Sequence, residues 1–146
     1  MLRALEKILT DELTHMGFTL WGIEVDYRSH VKRILVYIEN SSHISIKDCQ
    51  SVHNFVSIVI KIKKIVKDPY IIEVSSPGLN KRIFTSIQLK NFLGKNIRIK
   101  FHKGKILVGE LLSVESKFFI ILDPTSNARI KIHMDDSIRI NFQDNL

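Results

Sequence analysis

The apolar residues of this chain change their spacing near Gly94, and that switch constrains the fold more than any single motif. From Asn96 onward they recur at every second position in five short runs: "NIRIKF", "KILVGELLSVE", "KFFIILD", "ARIKIH" and "SIRINF". Polar breaks fall at Lys103-Gly104, Ser116-Lys117 and Pro124 to Asn127. A period of two puts alternate side chains on opposite faces of a strand. Five such strands in quick succession predict a small closed β-barrel, with Gly109 allowing the sharp bend that such barrels need.

Before Gly94 the pattern is mixed. Leu2, Leu5, Leu9, Leu13 and Met16 recur at three- and four-residue steps, the stripe of an amphipathic helix, and Gly17 can supply its left-handed stop. "FTLWGIEVDY" sets Trp21, Ile23, Val25 and Tyr27 on one face, and "RILVYIE" does the same for Ile34, Val36 and Ile38. The two runs predict an antiparallel hairpin. Ser45 and Asp48 resemble a capping box that opens a second helix reaching about Ile62, with Val52, Phe55, Val56 and Val59 inward. Lys61, Lys63 and Lys64 suit the negative pole of its dipole. Tyr70, Ile72 and Val74 then alternate with Ile71 and Glu73 as a third strand. Pro77-Gly78 fits the two central positions of a type II turn. "FTSIQLKNFLG" restarts a short helix with Thr85 as N-cap and Gly94 as stop. The expected class is α+β: an α-β-β-α-β module over residues 1–82, a linker helix over 83–94 and a five-stranded barrel over 95–146.

The chain has 146 residues and an apolar fraction of 45%, enough for a real core in one domain or two small ones. No run approaches the roughly 20 apolar residues of a membrane span, and "MLRALEKILTDEL" mixes acids with its leucines, unlike a signal peptide. A cytoplasmic protein without a membrane partner is expected. The single Cys49 has no disulfide partner and reads as a small core residue. The net charge of +7 admits two explanations. A polyanionic partner would exploit it through counterion release. Alternatively, 23 Ile and 15 Lys against 7 Arg match the bias of a nucleotide-skewed genome.

Signatures of catalysis are missing: there is no G-x-G-x-x-G, G-x-x-x-x-G-K-[ST], H-E-x-x-H or G-x-S-x-G. No catalytic, cofactor or metal site is expected. His43 with His53 is a poor metal pair, and Asp135-Asp136 reads as a solvated turn. The α/β half is similar to a KH module, yet none of the glycines at 17, 22, 78, 94, 104 and 109 forms a GXXG clamp. In the barrel half Arg98, Lys100 and His102 share a face opposite Ile97 and Ile99, and Arg129 and Lys131 alternate with Ile130 and Ile132. Such cations could track phosphates. They are equally what any amphipathic strand shows to water.

"GFTLWGIEV", "RILVYIE", "ISIKDCQSVHNFVS" and above all "EVSSPGLNKRIFT" resemble, in order and spacing, the RimP family of bacterial ribosome maturation factors. The likeness covers residues 1 to 100; the barrel half matches in pattern more than in residues. The resemblance implies a KH-like α/β domain followed by an SH3- or Sm-like barrel, and a non-enzymatic, monomeric assembly factor without cofactor. Such a factor binds the immature small ribosomal subunit and assists its late folding, partly through small-subunit ribosomal protein number twelve. The family signature falls on Glu73 to Leu79, where a functional junction is expected at Ser75, Ser76, Pro77, Gly78, Leu79, Asn80, Lys81 and Arg82. Where the family continues with an acid and Arg-Pro, this chain has Asn80, Lys81 and Arg82, which raises the expectation of direct rRNA contact through Arg98, Lys100, Lys103, Lys105, Arg129 and Lys131. The alternative is a general RNA-binding barrel with an α/β dimerisation domain, acting outside the ribosome.

Overall fold

A computed structural model describes residues 2–143 and divides the chain into two compact units, Met1–Pro77 and Gly78–Leu146. In the first unit the order is α1 (Leu2–His15), β1 (Thr19–Arg28), β2 (Val31–Glu39), α2 (Ile46–Lys63) and β3 (Tyr70–Ser75). This is the expected α-β-β-α-β succession. β1 and β2 pair antiparallel and β3 joins β2 in parallel, giving the order β1-β2-β3. Leu5, Leu9 and Leu13 of α1, Ile34, Val36 and Ile38 of β2, and Val52 and Val56 of α2 are fully buried together. Both ends of the α1 stripe lie outside: Leu2 and Met16 are exposed. Gly17 has φ +89, as a left-handed helix stop requires.

Local capping is complete at α2. The Ser45 hydroxyl accepts from the Asp48 N–H, the Asp48 carboxylate accepts from the Ser45 N–H, and Lys64 closes the helix in the left-handed region at φ 52. In β1 a register shift between Leu20 and Gly22 interrupts the alternation expected from Trp21. It is Leu20 that packs against the core, together with Ile23 and Val25, while Tyr27 is exposed. Cys49 is not a core residue: it is half-buried, in a groove between α2 and β3.

The second unit contains β4 (Arg82–Ile83), α3 (Ser86–Leu89), β5 (Asn96–Phe101), β6 (Ile106–Val114), β7 (Phe118–Leu122), β8 (Arg129–His133) and β9 (Ser137–Phe142). The five expected strands are all present. They do not close into a barrel, however: the sheet has six strands in the order β4-β9-β5-β6-β7-β8, with β4 and β8 as its edges. Closure would need a ladder from β8 to β4 or β9. A 3₁₀ turn over Met134–Asp136 carries the chain off β8, and β9 then pairs with β5 and β4.

The segment 83–94, expected as a linker, belongs to this second unit, and the division falls earlier, between Pro77 and Gly78. Its apolar residues account for that. Ile83 and Leu89 are buried, and the Phe92 ring packs on Phe142 of β9 at 5.2 Å between centroids. Gly109, on β6, does not serve a bend so much as a close approach: a β-carbon there would stand 2.5 Å from the Leu122 carbonyl oxygen of β7.

Candidate nucleic-acid interface

The signature stretch is split between the two units. Ser75 ends β3, and its hydroxyl donates to the Ser76 carbonyl at 2.9 Å. Gly78 has φ +82, as its place after Pro77 led one to expect. Leu79 is 84% exposed, an apolar side chain that local packing leaves in solvent. From Asn80 the chain is tied to the second sheet. The Asn80 carbonyl accepts from the Asn141 side-chain amide at 3.0 Å, and the Lys81 carbonyl accepts from the Phe142 N–H at 2.8 Å. The Arg82 guanidinium lies 4.7 Å over the Phe84 ring and donates to the Ile138 carbonyl at 3.4 Å.

Of the six cations expected to face RNA, the structure forms two groups. Arg98 and Lys100 stand opposite the buried Ile97 and Ile99 on β5. Register adds neighbours that periodicity alone could not supply. Arg82, Asn141 and Arg98 are directly opposite one another across β4, β9 and β5, and Arg139 of β9 is opposite Lys100. Directly paired residues have β-carbons only about 5 Å apart. Four cations therefore share one face in two adjacent rows.

The second group lies at the end of the β5–β6 hairpin. Lys103 and Lys105 meet Lys131 of β8 around a cavity of about 500 Å³. Its floor is apolar, made by Phe101, Leu107, Ile130 and Ile132. Because β8 lies two strands beyond β6, this shared lining means that the sheet curls. His102 and Asp136 complete the wall. The His102 ring nitrogen is 3.1 Å from the Asp135 carbonyl oxygen, and its backbone N–H donates to the Asp136 carbonyl at 3.4 Å. The two adjacent acids thus use their carbonyls to fasten the hairpin end. Lys131 places its ammonium 4.0 Å above the Phe118 ring. Arg129 is opposite Leu122 on β8 and joins neither group. The loop after β7 is stiffened by Asp123, whose carboxylate accepts from the Thr125 N–H and the Ser126 hydroxyl, both at 3.0 Å. Those bonds, with a smaller contribution from the charge of Lys105, hold its pKa below the ordinary carboxylate value.

The division between the units also resolves how the charge is distributed. Residues 1–77 hold 10 basic and 9 acidic side chains, a net +1, whereas residues 78–146 hold 12 and 6, a net +6. The cations themselves are spread almost alike, 10 and 12, so the asymmetry owes as much to the smaller number of acids in the second unit, 6 against 9. Counted about Gly94 instead, the balance is +4 and +3 and the asymmetry vanishes.

One interaction network escaped sequence reasoning. Arg33 of β2 donates to both carboxylate oxygens of Asp26 on β1, at 2.9 and 2.6 Å, and to Glu73 of β3 at 3.3 Å. This pairing raises the guanidinium pKa and fastens all three strands, including the Glu73 that begins the signature.

A profile of the RimP N-terminal domain matches residues 8–80. The chain belongs to the RimP family. That match runs from the middle of α1 through β3 and the signature as far as Asn80, and it places the chain among ribosome maturation factors. The RimP resemblance seen in "EVSSPGL" is therefore carried by a full domain. Among the described residues no helix is long and apolar enough to cross a membrane.

Proposed function

We propose that this protein is a non-enzymatic maturation factor that binds the immature small ribosomal subunit and assists its late assembly, with its second unit facing ribosomal RNA. The observation that carries this reading is the segregation of charge, +6 in the second unit against +1 in the first. Each Lys or Arg set against a phosphate releases condensed counterions, so a concentrated cationic face favours RNA over a neutral surface. The Arg82, Arg98, Lys100 and Arg139 rows and the Lys103, Lys105 and Lys131 cluster supply that face; Arg129 adds charge from β8.

The near-neutral first unit, KH-like in its order of elements, then suits a protein contact. Small-subunit ribosomal protein number twelve is the partner that family membership suggests. Ser75, Ser76, Pro77, Gly78 and Leu79 join the two contacts, and the backbone of Asn80, Lys81 and Arg82 anchors the junction to the SH3- or Sm-like second unit. The protein acts as a monomer in the cytoplasm.

Co-sedimentation with immature small subunits, set against a size-matched free RNA, tests the reading. Retention on subunits in preference to free RNA supports it. Equal retention on both would favour a general RNA-binding role outside the ribosome.

A further inference from the structure

We propose that the cavity at the end of the β5–β6 hairpin takes one unpaired base of single-stranded RNA, with Lys103, Lys105 and Lys131 on the flanking phosphates. The inference deepens the RNA-facing reading of the second unit and rests on it. The cavity has two chemically distinct parts. Its floor is Phe101, Leu107, Ile130 and Ile132, and its rim carries three ammonium groups against the single carboxylate of Asp136. None of the three lysines makes a direct ion pair among the described residues: the Lys131 ammonium rests on the Phe118 ring and Lys105 acts on Asp123 only through its charge, so no paired carboxylate has to be displaced for them to meet a phosphate.

An apolar floor under a cationic rim fits a ligand with a flat, weakly hydrated ring close to a strong anion. A volume of about 500 Å³ lies within the range of small-ligand pockets, roughly 300–1,000 Å³. A base held in a duplex cannot reach such a floor, because its faces are stacked and only base edges, sugars and phosphates are presented; an unstacked base can. An acidic peptide could also place one apolar and one anionic group here. RNA is favoured because the unit as a whole carries +6, with Arg82, Arg98, Lys100 and Arg139 adding cations on the other face of β5. A ligand with a charge on every repeat gains from that field along its length, whereas a peptide anchored in the cavity needs only the rim.

The test uses the full chain with ¹³C-labelled isoleucine methyls, the Ile130 and Ile132 signals being assigned through Ile130→Val and Ile132→Val. It is titrated with hexauridylate, with an RNA duplex of equal phosphate number, and with an acidic, leucine-containing hexapeptide. The expected result is that hexauridylate moves both methyl signals and binds roughly tenfold more tightly than the duplex, the gain of stacking one base. Lys105→Gln should weaken both RNAs. Equal binding of the two RNAs with unmoved methyls would overturn the base site while leaving phosphate contact intact. Movement of the methyls by the peptide alone would make the cavity a peptide site. Loss of all RNA binding, together with failure to co-sediment with small subunits, would remove the reading beneath the inference.

Discussion

Gly109→Ala should destabilise the second unit without touching any charged group. The added β-carbon would stand 2.5 Å from the Leu122 carbonyl oxygen, 3.3 Å from its carbon and 3.4 Å from Ile121 Cδ1. Ordinary contact begins near the last of these distances, so the overlap with the oxygen is about 0.9 Å. That oxygen is backbone in β7, paired with β6 on one side and β8 on the other, and cannot swing aside as a side-chain terminus could. The strands must part or the ladder must twist. Overpacking of this kind costs about 1–3 kcal/mol. Removing a flexible glycine from a strand interior returns roughly 0.5–1 kcal/mol. The net loss is about 1–2 kcal/mol. For a unit of this size each kcal/mol moves the midpoint by about 4–8 °C, so a fall of roughly 5–15 °C is expected. Trp21, Tyr27, Tyr37 and Tyr70 all lie in the first unit, so their fluorescence does not report directly on the second. Amide hydrogen exchange does, with β5–β9 as the readout and β1–β3 as internal reference. The expected result is about tenfold faster exchange in the most protected amides of β6 and β7 for each 1.4 kcal/mol lost. Unchanged exchange and an unchanged midpoint would refute the reasoning. Gly78→Ala is the contrast: nothing lies within 4 Å of its added carbon, so its cost is the strain of φ +82 alone, about 1–2 kcal/mol.

Three further outcomes are expected. Gly78→Val should weaken co-sedimentation with small subunits while both units stay folded, measured against exchange in β1–β3 and β5–β9; unchanged binding would reduce the junction to a strand exit. The hairpin joining β1 to β2 holds Ser29 at φ 49 and His30 at φ 68, conformations that Asn-Gly adopts readily, so Ser29→Asn with His30→Gly should raise the unfolding free energy measured in urea by on the order of 1 kcal/mol. Asp48 is held below its ordinary carboxylate pKa by the Ser45 N–H and hydroxyl, so its contribution to stability is present above the unfolded pKa near 3.9 and is lost as pH falls through the lower folded value. Asp48→Asn should flatten that acid loss, and Ser45→Ala should cost about 1 kcal/mol at neutral pH, both followed by Trp21 fluorescence in urea.

Much of the first unit was legible because its signals are local. The Leu5-Leu9-Leu13 stripe, the Ser45–Asp48 box and the Tyr70-Ile72-Val74 alternation each lie within a few residues; the first and last bear directly on burial, the box on helix capping. The bulge at Trp21 was not legible, since alternation is read on the assumption that no residue is inserted. Strand number in the second unit could be read from period two, but closure depends on which edges meet, and a two-residue β4 leaves almost no pattern. The boundary was misplaced for a related reason. Phe92 reads as part of a connector until its ring is found against Phe142, fifty residues later. With the boundary misplaced, the charge asymmetry was invisible too. The grouping of Arg82 with Arg98, and of Lys131 with Lys103 and Lys105, depends on register and curl, which spacing along one strand does not contain.

The most direct test of the account is the salt dependence of binding to immature small subunits, measured for the native protein and for single variants at Arg98, Lys100, Lys103, Lys105 and Lys131 changed to Gln. The account requires a steep fall of log K with log salt, reduced by roughly one in slope for each phosphate contact removed. A slope that stays the same across all five variants, in proteins that still co-sediment, would contradict it and assign the cationic face to protein or to solvent.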